Sequence, residues 1–324
     1  MAGLMRPGLL SYVGRRLVTS AMLLLLLTFI TFSLLKMAPG SPERLLLGTR
    51  PATPANLASI RQDFHLNEPF WSQYWQWLTG VLHLQFGQSI TTLAPIRQML
   101  GQAVGVSVEI ALLGAVVAVI GGLLLGVLAA VYQESPFDRS LVVMSIFGVS
   151  SPAFVTGIVL ILIFSVELNW LPAYGTGAGG MDTVSHLVLP GLALGLSAMA
   201  LVVKITRTTM VRELASDYVT FARARGASRM RATVVYALRN ALIPIVTSAG
   251  LVFSYLIVGA VLIEVVFTLP GLGTMLVTGV TSHDIPVVQA VTLTIGMVVI
   301  GINLVTDIAY LLLDPRVQPG RTAS

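Results

Sequence analysis

The chain has 324 residues, of which 55% are hydrophobic and only 10% are charged, and it contains no cysteine. A soluble domain carries about 25% charged residues, so this composition cannot cover a water-facing surface and indicates a polytopic membrane protein. The lack of cysteine excludes a disulfide framework and a thiolate metal site. The net charge of +5 is typical of basic cytoplasmic loops and does not indicate binding to nucleic acid.

The first predicted span covers residues 17–35, an uncharged apolar run that follows Arg15 and Arg16 and ends at Lys36. At about 1.5 Å per residue, this run is long enough to cross a hydrocarbon core of about 30 Å. A cleavable signal sequence has a shorter apolar region and a small-residue cleavage site. We therefore predict an uncleaved first transmembrane helix with a cytoplasmic N-terminus.

Residues 37–103 predict a long external loop that contains short helices, the first of which opens at Thr53-Pro54. A second short helix follows Pro69, where aromatic residues recur at three- and four-residue spacing from Phe70 to Trp77. Tryptophan and tyrosine collect at membrane interfaces, so this pattern favours an interfacial helix. A ligand-contacting aromatic patch is the alternative.

Five more apolar runs follow, and the basic residues between them give an orientation. The runs are residues 104–132, 140–166, 185–203, 240–266 and 286–313. Eight arginines and lysines lie in the loop 204–239, whereas the loops 167–184 and 267–285 have none. Because basic loops stay in the cytoplasm, we predict six transmembrane helices with both termini cytoplasmic. Pro190 makes the edges of the fourth span the least defined.

Three acidic residues, Glu109, Glu264 and Asp307, fall within the apolar runs. Charges inside a membrane are costly and are by default functional. All three lie toward the ends of their runs, which favours structural pairing or contact with interfacial water. A proton- or ion-coupled carrier needs a relay near the midplane, and no basic residue inside a span is available to pair with these acids. The pattern argues against a secondary transporter and leaves the role of each acid open.

The chain has no energy-converting or catalytic motif of its own. It lacks a G-x-x-x-x-G-K-[ST] phosphate loop, a G-x-S-x-G elbow and an H-E-x-x-H zinc motif. Its polar segments are also too short to house an ATPase. If the protein performs work, the energy comes from a partner or from an ion gradient, and the chain itself is predicted to be non-enzymatic.

The segment 211–247 is the long polar interruption in the second half of the chain, and it is rich in arginine. Residues from Glu213 to Arg225 favour a helix, Gly226 suits a left-handed C-cap, and Ser228 can cap the next helix. The first helix would present Tyr218, Phe221, Ala222 and Arg225 on one side. Such a helix can dock a soluble partner or rest on anionic headgroups.

Several long motifs in this chain occur in an order that resembles one family. They are MAPGSP (37–42), LQFGQS (84–89), DYVTFARARGASRMRATVVYALRNALIPIVT (217–247), FTLPGLGTMLVTGVTSHDIPVVQAV (267–291) and NLVTDIAYLLLDPRV (303–317). The chain resembles permeases of ABC importers, in the subfamily that serves dipeptides, oligopeptides and nickel. The long first external loop resembles that of the B-type oligopeptide permease.

This resemblance implies a type I ABC importer permease fold, with residues 1–324 as a single transmembrane domain. It implies a second homologous permease, two cytoplasmic ATP-binding subunits (or one fused), and an external substrate-binding protein or lipoprotein. The expected location is the bacterial cell membrane, with a peptide as the substrate and no cofactor. Hydrolysis of ATP would take place on the partner subunits.

In ABC importers, the loop that the segment 204–239 resembles carries a coupling helix that docks on the ATPase. The general family pattern has a Glu-Ala-Ala triplet before a glycine, whereas this chain has Thr220-Phe221-Ala222 before Gly226. Arg223 and Arg225 are the residues that we expect to contact the ATPase. The candidate coupling residues are Asp217, Tyr218, Phe221, Ala222, Arg223, Ala224, Arg225, Gly226 and Ser228.

Four functions remain as alternatives at this point: a peptide importer permease, a nickel or small-solute importer permease, a stand-alone secondary transporter and a membrane enzyme. A metal path favours clustered histidine, cysteine or carboxylate ligands. The four histidines are scattered along the chain, which favours a peptide over nickel. The missing catalytic motifs disfavour the enzyme.

Overall fold

The computed structural model describes residues 7–37, 42–47, 51–63 and 65–313, and within these ranges the chain forms helices and no β-strand. The helices are α1 (Pro7–Met37), α2 (Pro42–Leu47), α3 (Pro54–Asp63), α4 (Phe70–Leu82), α5 (Ile96–Val131), α6 (Pro136–Ser150), α7 (Ala153–Leu160), α8 (Met181–Leu214), α9 (Asp217–Ala224), α10 (Arg229–Arg231), α11 (Arg239–Val266), α12 (Leu272–Thr281) and α13 (Ile285–Leu313). One π-helical segment, Ile161–Glu167, continues α7, and another, Ala232–Leu238, joins α10 to α11. Most of the MAPGSP motif and the end of the last family motif lie outside the described residues.

By length and composition, four helices in the described ranges can cross a membrane: Val13–Ser33, Ile96–Val131, Met181–Leu214 and Ile285–Ile308. A fifth span results if Pro136–Gly148 and Ala153–Glu167 are counted together. The all-helical, multi-span architecture is therefore confirmed, with four to five apolar spans. The predicted fifth run, 240–266, coincides with α11, whose described apolar part is the shorter stretch Val252–Val266.

The predicted span 140–166 is not one straight helix. Its two halves are bent by 105° at the break between α6 and α7. Pro152 precedes the first residue of α7, and Ser151 before it has extended backbone angles (φ −88°, ψ 122°). A proline disfavours helical backbone angles in the residue before it. The helix therefore breaks at this point, although the sequence on both sides is apolar.

The fourth span is predicted to cover residues 185–203, but the helix that contains it, α8, extends beyond both of these ends. Helix α8 runs over 34 residues with Pro190 inside it, which gives a length of about 51 Å against a hydrocarbon core of about 30 Å. Lys204 and Arg207 are therefore helical, although the sequence suggested a loop beginning at residue 204. The charges mark the end of the apolar stretch, but they do not interrupt the helix.

Helices α5 and α8 form the centre of the bundle because small residues let their backbones approach closely. A Cβ atom added to Gly122 would lie 2.5 Å from the Cβ of Val202, and one added to Gly126 would lie 2.5 Å from the Cβ of Thr206. Only glycine fits at such positions. These glycines therefore allow the close packing of α5 against α8.

Two buried clusters lie toward opposite ends of α5, a helix of 36 residues that is about 54 Å long. At the first end, Ile96 and Leu100 pack with Leu272 and Val287. We call this the α12 end of the bundle. At the other, the α9 end, Ala130 packs in a cluster that includes residues of α8, α9 and α11.

Candidate functional site

Helix α9 is a separate short helix at the α9 end of the bundle. It begins after Ser216, whose backbone is extended (φ −71°, ψ 152°), and Asp217 lies in its first turn. The helix-favouring stretch from Glu213 to Arg225 is interrupted, because Glu213 belongs to the last turn of α8, and α9 begins at Asp217, the first of the candidate coupling residues. An acidic side chain in the first turn interacts favourably with the helix dipole, so Asp217 marks the start better than Glu213 does.

The predicted stop at Gly226 is confirmed. The amide of Gly226 donates to the Arg223 carbonyl oxygen (2.9 Å) and the amide of Ala227 donates to the Ala222 carbonyl oxygen (3.0 Å). Together with the positive φ of Gly226 (+91°), this pair of hydrogen bonds is a Schellman motif. The predicted cap at Ser228 is also confirmed, since its Oγ accepts from the Arg231 amide (3.3 Å).

The inner face of α9 is anchored by Val219, which is fully buried in the cluster at the α9 end. Its neighbours there include Met210 of α8 and Ala241 of α11. The sequence analysis did not single out Val219. It lies between the polar residues of a short amphipathic helix, and its apolar side chain was the available signal for an inward face.

Tyr218 joins α9 to the two helices beside it. Its hydroxyl donates to Glu213 Oε2 at the end of α8 and accepts a hydrogen bond from Asn240 Nδ2 of α11 (3.0 Å). The Asn240 amide also donates to the carbonyl oxygen of Tyr236 (3.0 Å). Burial, and then the hydrogen bond to Glu213, raise the pKa of Tyr218 above its ordinary value. The hydroxyl is thus committed to contacts within the chain.

The outer face of this region is basic and partly apolar. We call Phe221, Met230 and the four arginines around them the basic face; the arginines are Arg223, Arg225, Arg229 and Arg231. Phe221 is 69% exposed and Met230 is 75% exposed. None of the four guanidinium groups has a hydrogen bond or ion pair with another described residue, and all four side chains are exposed. Exposed arginine beside a large apolar side chain is typical of protein interfaces.

The remaining candidate residues divide between this face and the helix ends. Asp217 and Ala224 are exposed and Ala222 is half-buried. Gly226 and Ser228 shape the backbone, as described above, and Ser228 is also exposed. In the described part of the chain, no group of three or more histidine, aspartate or glutamate residues could hold a metal ion.

An ion pair that the sequence analysis missed supports α8 near the same end. The Arg207 guanidinium binds Asp138 in a bidentate manner, with Nε 2.5 Å from Oδ1 and Nη2 2.7 Å from Oδ2. The Glu134 amide also donates to Asp138 Oδ2 (2.9 Å), and Asp138 is only 2% exposed. The pair fixes the turn before α6 to α8. The two residues are 69 positions apart, so no local pattern relates them.

The three acids in the apolar runs have different surroundings. Glu264 is buried and accepts from Ser107 Oγ (2.6 Å) and from the Gly273 amide (2.6 Å), so it caps the start of α12. Asp307 forms an ion pair with Arg16 of α1 (3.2 Å). The statement that no basic residue within a span could pair with these acids is therefore wrong for Asp307. Glu109 is exposed on α5.

A fourth acid, Asp284, joins two of the family motifs and was also missed. It is buried and accepts from Ser89 Oγ (2.5 Å) and Thr91 Oγ1 (2.9 Å). Ser89 ends the LQFGQS motif, and Asp284 lies in the motif at 267–291. The contact fixes the end of the long loop 37–103 to the start of α13.

The aromatic helix α4 packs along α1. Phe29 stacks on Trp71 with ring centroids 5.9 Å apart, and Thr28 Oγ1 is 2.9 Å from the hydroxyl of Tyr74. Trp71 remains 68% exposed although it stacks on Phe29, and Trp75, one turn further along α4, is 65% exposed. The aromatic helix thus packs within the chain and still leaves aromatic surface free for the interfacial contact that the sequence predicts.

Comparison with known proteins agrees with the motif resemblance. Residues 122–319 match the family described as "Binding-protein-dependent transport system inner membrane component", and residues 9–105 match the N-terminal model of the same system. The chain is 37% identical, over 95% of its length and 99% of the relative, to the "Probable peptide ABC transporter permease protein y4tP" of Sinorhizobium fredii (strain NBRC 101917 / NGR234).

It is also 35% identical, over 96% of its length and 99% of the relative, to the "Glutathione transport system permease protein GsiC" of Salmonella paratyphi A (strain ATCC 9150 / SARB42). The Escherichia coli (strain K12) protein of the same name matches with the same identity and coverage. The family match covers more than half of the chain, and these relatives align over nearly its full length. The chain therefore belongs to the family of binding-protein-dependent transport system inner membrane components.

Proposed function

We propose that this permease imports short peptides as one half of a heteromeric ABC transporter. A second, similar permease would complete the pore, and an external binding protein would deliver the peptide. Two cytoplasmic ATP-binding subunits, or one fused subunit, would drive the cycle by hydrolysing ATP. The observation that carries the proposal is the basic face: a short helix, tied to α8 and α11, whose outer side carries exposed arginines that have no partner among the described residues, around exposed Phe221.

The proposed topology has six spans with both termini in the cytoplasm: α1, α5, the bent pair α6–α7, α8, α11 and α13. The α9 end then faces the cytoplasm and the α12 end faces outward. The distribution of arginine and lysine supports this orientation, since residues 267–285 carry none and residues 204–239 carry eight. The expected location is the bacterial cell membrane.

The proposed coupling mechanism follows from the way α9 is held. When the ATP-binding subunits close, they move the docked basic face, and the buried Val219 together with the Tyr218 hydrogen bonds passes that movement to α8 and α11. Arg223 and Arg225 are the proposed docking contacts. Tyr218 is proposed to pass the movement of α9 to α8 and α11 and not to contact the ATP-binding subunits, because its hydroxyl already has two partners in the chain.

Peptide is preferred over nickel as the substrate. The related proteins are named as a peptide permease and a glutathione permease, and glutathione is itself a short peptide. The described residues hold no cluster of metal-binding side chains, which agrees with that preference. The chain is proposed to be non-catalytic, with hydrolysis confined to the ATP-binding subunits.

Variants in which glutamine replaces arginine test whether the basic face docks the ATP-binding subunits. The permease is co-expressed with the proposed second permease and ATP-binding subunits, and retention of the ATP-binding subunits on the purified permease is measured. The variant Arg223→Gln/Arg225→Gln should weaken retention about tenfold or more, since unpaired arginines at an interface contribute to electrostatic attraction. Arg212→Gln is the control, because Arg212 contacts Glu213 (3.3 Å) and is not part of the basic face. Equal retention in all variants would contradict the docking role.

A further inference from the structure

A cavity of about 540 Å³ opens at the α12 end of the bundle. Its walls come from the loop after α4, the start of α5, the loop before α8, and α12. The volume lies in the range of about 300–1,000 Å³ that small-ligand sites occupy. The cavity is at the opposite end of α5 from the basic face, so it belongs to a different functional surface.

The surface of this cavity is mostly apolar, with a few hydroxyl and amide groups in it, and no charged side chain lines it. Among the described residues, the side chains of Gln102, Thr176 and Thr278 make no hydrogen bond. Thr274 Oγ1 is buried and has no hydrogen-bond partner. Met99, Met275 and Val106 form the apolar part of the wall.

The two buried acids nearest to this cavity do not line it. Glu264 accepts hydrogen bonds from Ser107 and from the Gly273 amide, while Asp284 accepts from Ser89 and Thr91. Each carboxylate is thus used to hold the walls in place. Neither is available to coordinate a metal ion, and a divalent cation would find no oxygen-rich or imidazole ligand set among the lining residues.

We propose that this cavity is a subsite for the backbone of a short peptide on the outer side of the permease. Neutral hydroxyl and amide groups can donate to and accept from peptide groups without selecting a side-chain charge. Methionine side chains adapt to ligands of different shape. The inference rests on the proposed function, because it requires the α12 end to face outward and the substrate to be a peptide.

Uptake by the complete importer in proteoliposomes tests the subsite, with dialanine as the probe. The variant Gln102→Leu/Thr278→Val removes two of the free polar groups while keeping the approximate side-chain volumes. The peptide concentration for half-maximal uptake should rise about tenfold, as expected for the loss of two neutral hydrogen bonds. ATP hydrolysis without peptide should remain unchanged.

Thr281→Val is the matched control on the same helix. The Thr281 hydroxyl donates to the carbonyl oxygens of Val277 and Thr278, and the residue does not line the cavity. This variant should import dialanine within about twofold of the wild-type concentration dependence. Wild-type behaviour of the Gln102→Leu/Thr278→Val variant would overturn the subsite while leaving the proposed function intact.

The lack of native cysteine allows a direct test of occupancy. A Thr278→Cys variant is labelled with a maleimide during ATP turnover, with the binding protein present, and labelling of this chain is read by mass. Dialanine should slow the labelling rate about threefold or more in Thr278→Cys, and it should not slow it in Thr281→Cys. Equal rates with and without dialanine would overturn the subsite. Failure of the wild-type importer to take up any short peptide would instead overturn the proposed function, and the subsite with it.

Discussion

Replacing Tyr218 by phenylalanine should uncouple ATP hydrolysis from transport without releasing the ATP-binding subunits. The substitution keeps the ring but removes the hydroxyl that links Glu213 of α8 to Asn240 of α11. A hydrogen bond to a carboxylate contributes about 1.5–3 kcal/mol and a neutral one about 0.5–1.5 kcal/mol. Because Tyr218 is 38% exposed, water replaces part of each contact. We therefore expect a net loss of about 1–2 kcal/mol in the orientation of α9.

A loss of that size changes the population of the correctly held helix by about 5–30-fold. The assay is the number of peptides imported per ATP hydrolysed in proteoliposomes, measured together with retention of the ATP-binding subunits. The ratio should fall severalfold while retention stays near the wild-type value. Loss of retention comparable to that of Arg223→Gln/Arg225→Gln would refute the reasoning, because Tyr218 would then be a docking contact. An unchanged ratio would refute it as well.

The effect of Tyr218→Phe on thermal stability has a pH dependence that can be stated in advance. The pKa of Tyr218 is raised in the folded chain, so the neutral hydroxyl is the favoured form. Its stabilisation is complete below the ordinary tyrosine pKa of about 10 and is lost only as the pH rises through the raised value. The difference in Tm between the wild type and Tyr218→Phe should therefore stay constant from about pH 7 to about pH 9. A steady change in this difference across that range would show that another group controls the contact.

Three further substitutions test the packing and the helix ends, with thermal unfolding of the purified permease as the measurement. Gly122→Ala should destabilise the bundle by about 1–3 kcal/mol through overpacking against α8, whereas Gly105→Ala, with open space at its Cβ, should have little effect. Asp138→Asn should cost about 1–3 kcal/mol because Arg207 loses its charged partner. Gly226→Ala should cost about 1–2 kcal/mol because its φ is positive.

Local features such as helix ends could be predicted from the sequence, whereas contacts between residues far apart in the chain could not. The stop at Gly226 and the cap at Ser228 follow from residue types within one helical turn, and both are confirmed. Residue types alone did not locate the break before α9, because Glu213 suits a helix equally well whether it ends α8 or begins α9, whereas the family resemblance placed the first coupling residue at Asp217, where α9 begins. Composition likewise identified the apolar runs but not the break at Pro152. There the proline restricts the backbone of the preceding residue, and hydropathy gives no sign of this restriction.

The roles of the buried acids show why a single sequence is insufficient for the site. Glu264 reaches Ser107 across 157 positions and Asp284 reaches Ser89 across 195. A carboxylate in an apolar run carries the same local signal whether it caps a helix or serves a relay. Tyr218 is a similar case: the sequence gives its place on a short helix, but only the folded chain shows that Glu213 and Asn240 contact its hydroxyl.

The two ends of the molecule are connected through α11, and this connection bears on how ATP hydrolysis would act on the outer cavity. Asn240 at the start of α11 binds the Tyr218 hydroxyl, and Glu264 at its other end caps α12, which lines the cavity. We propose that α11, which is held at both ends, passes a displacement of α9 to α12 as a movement of the cavity wall. The contact of Glu264 with the Gly273 amide is therefore the point where a peptide subsite would respond to the ATP-binding subunits.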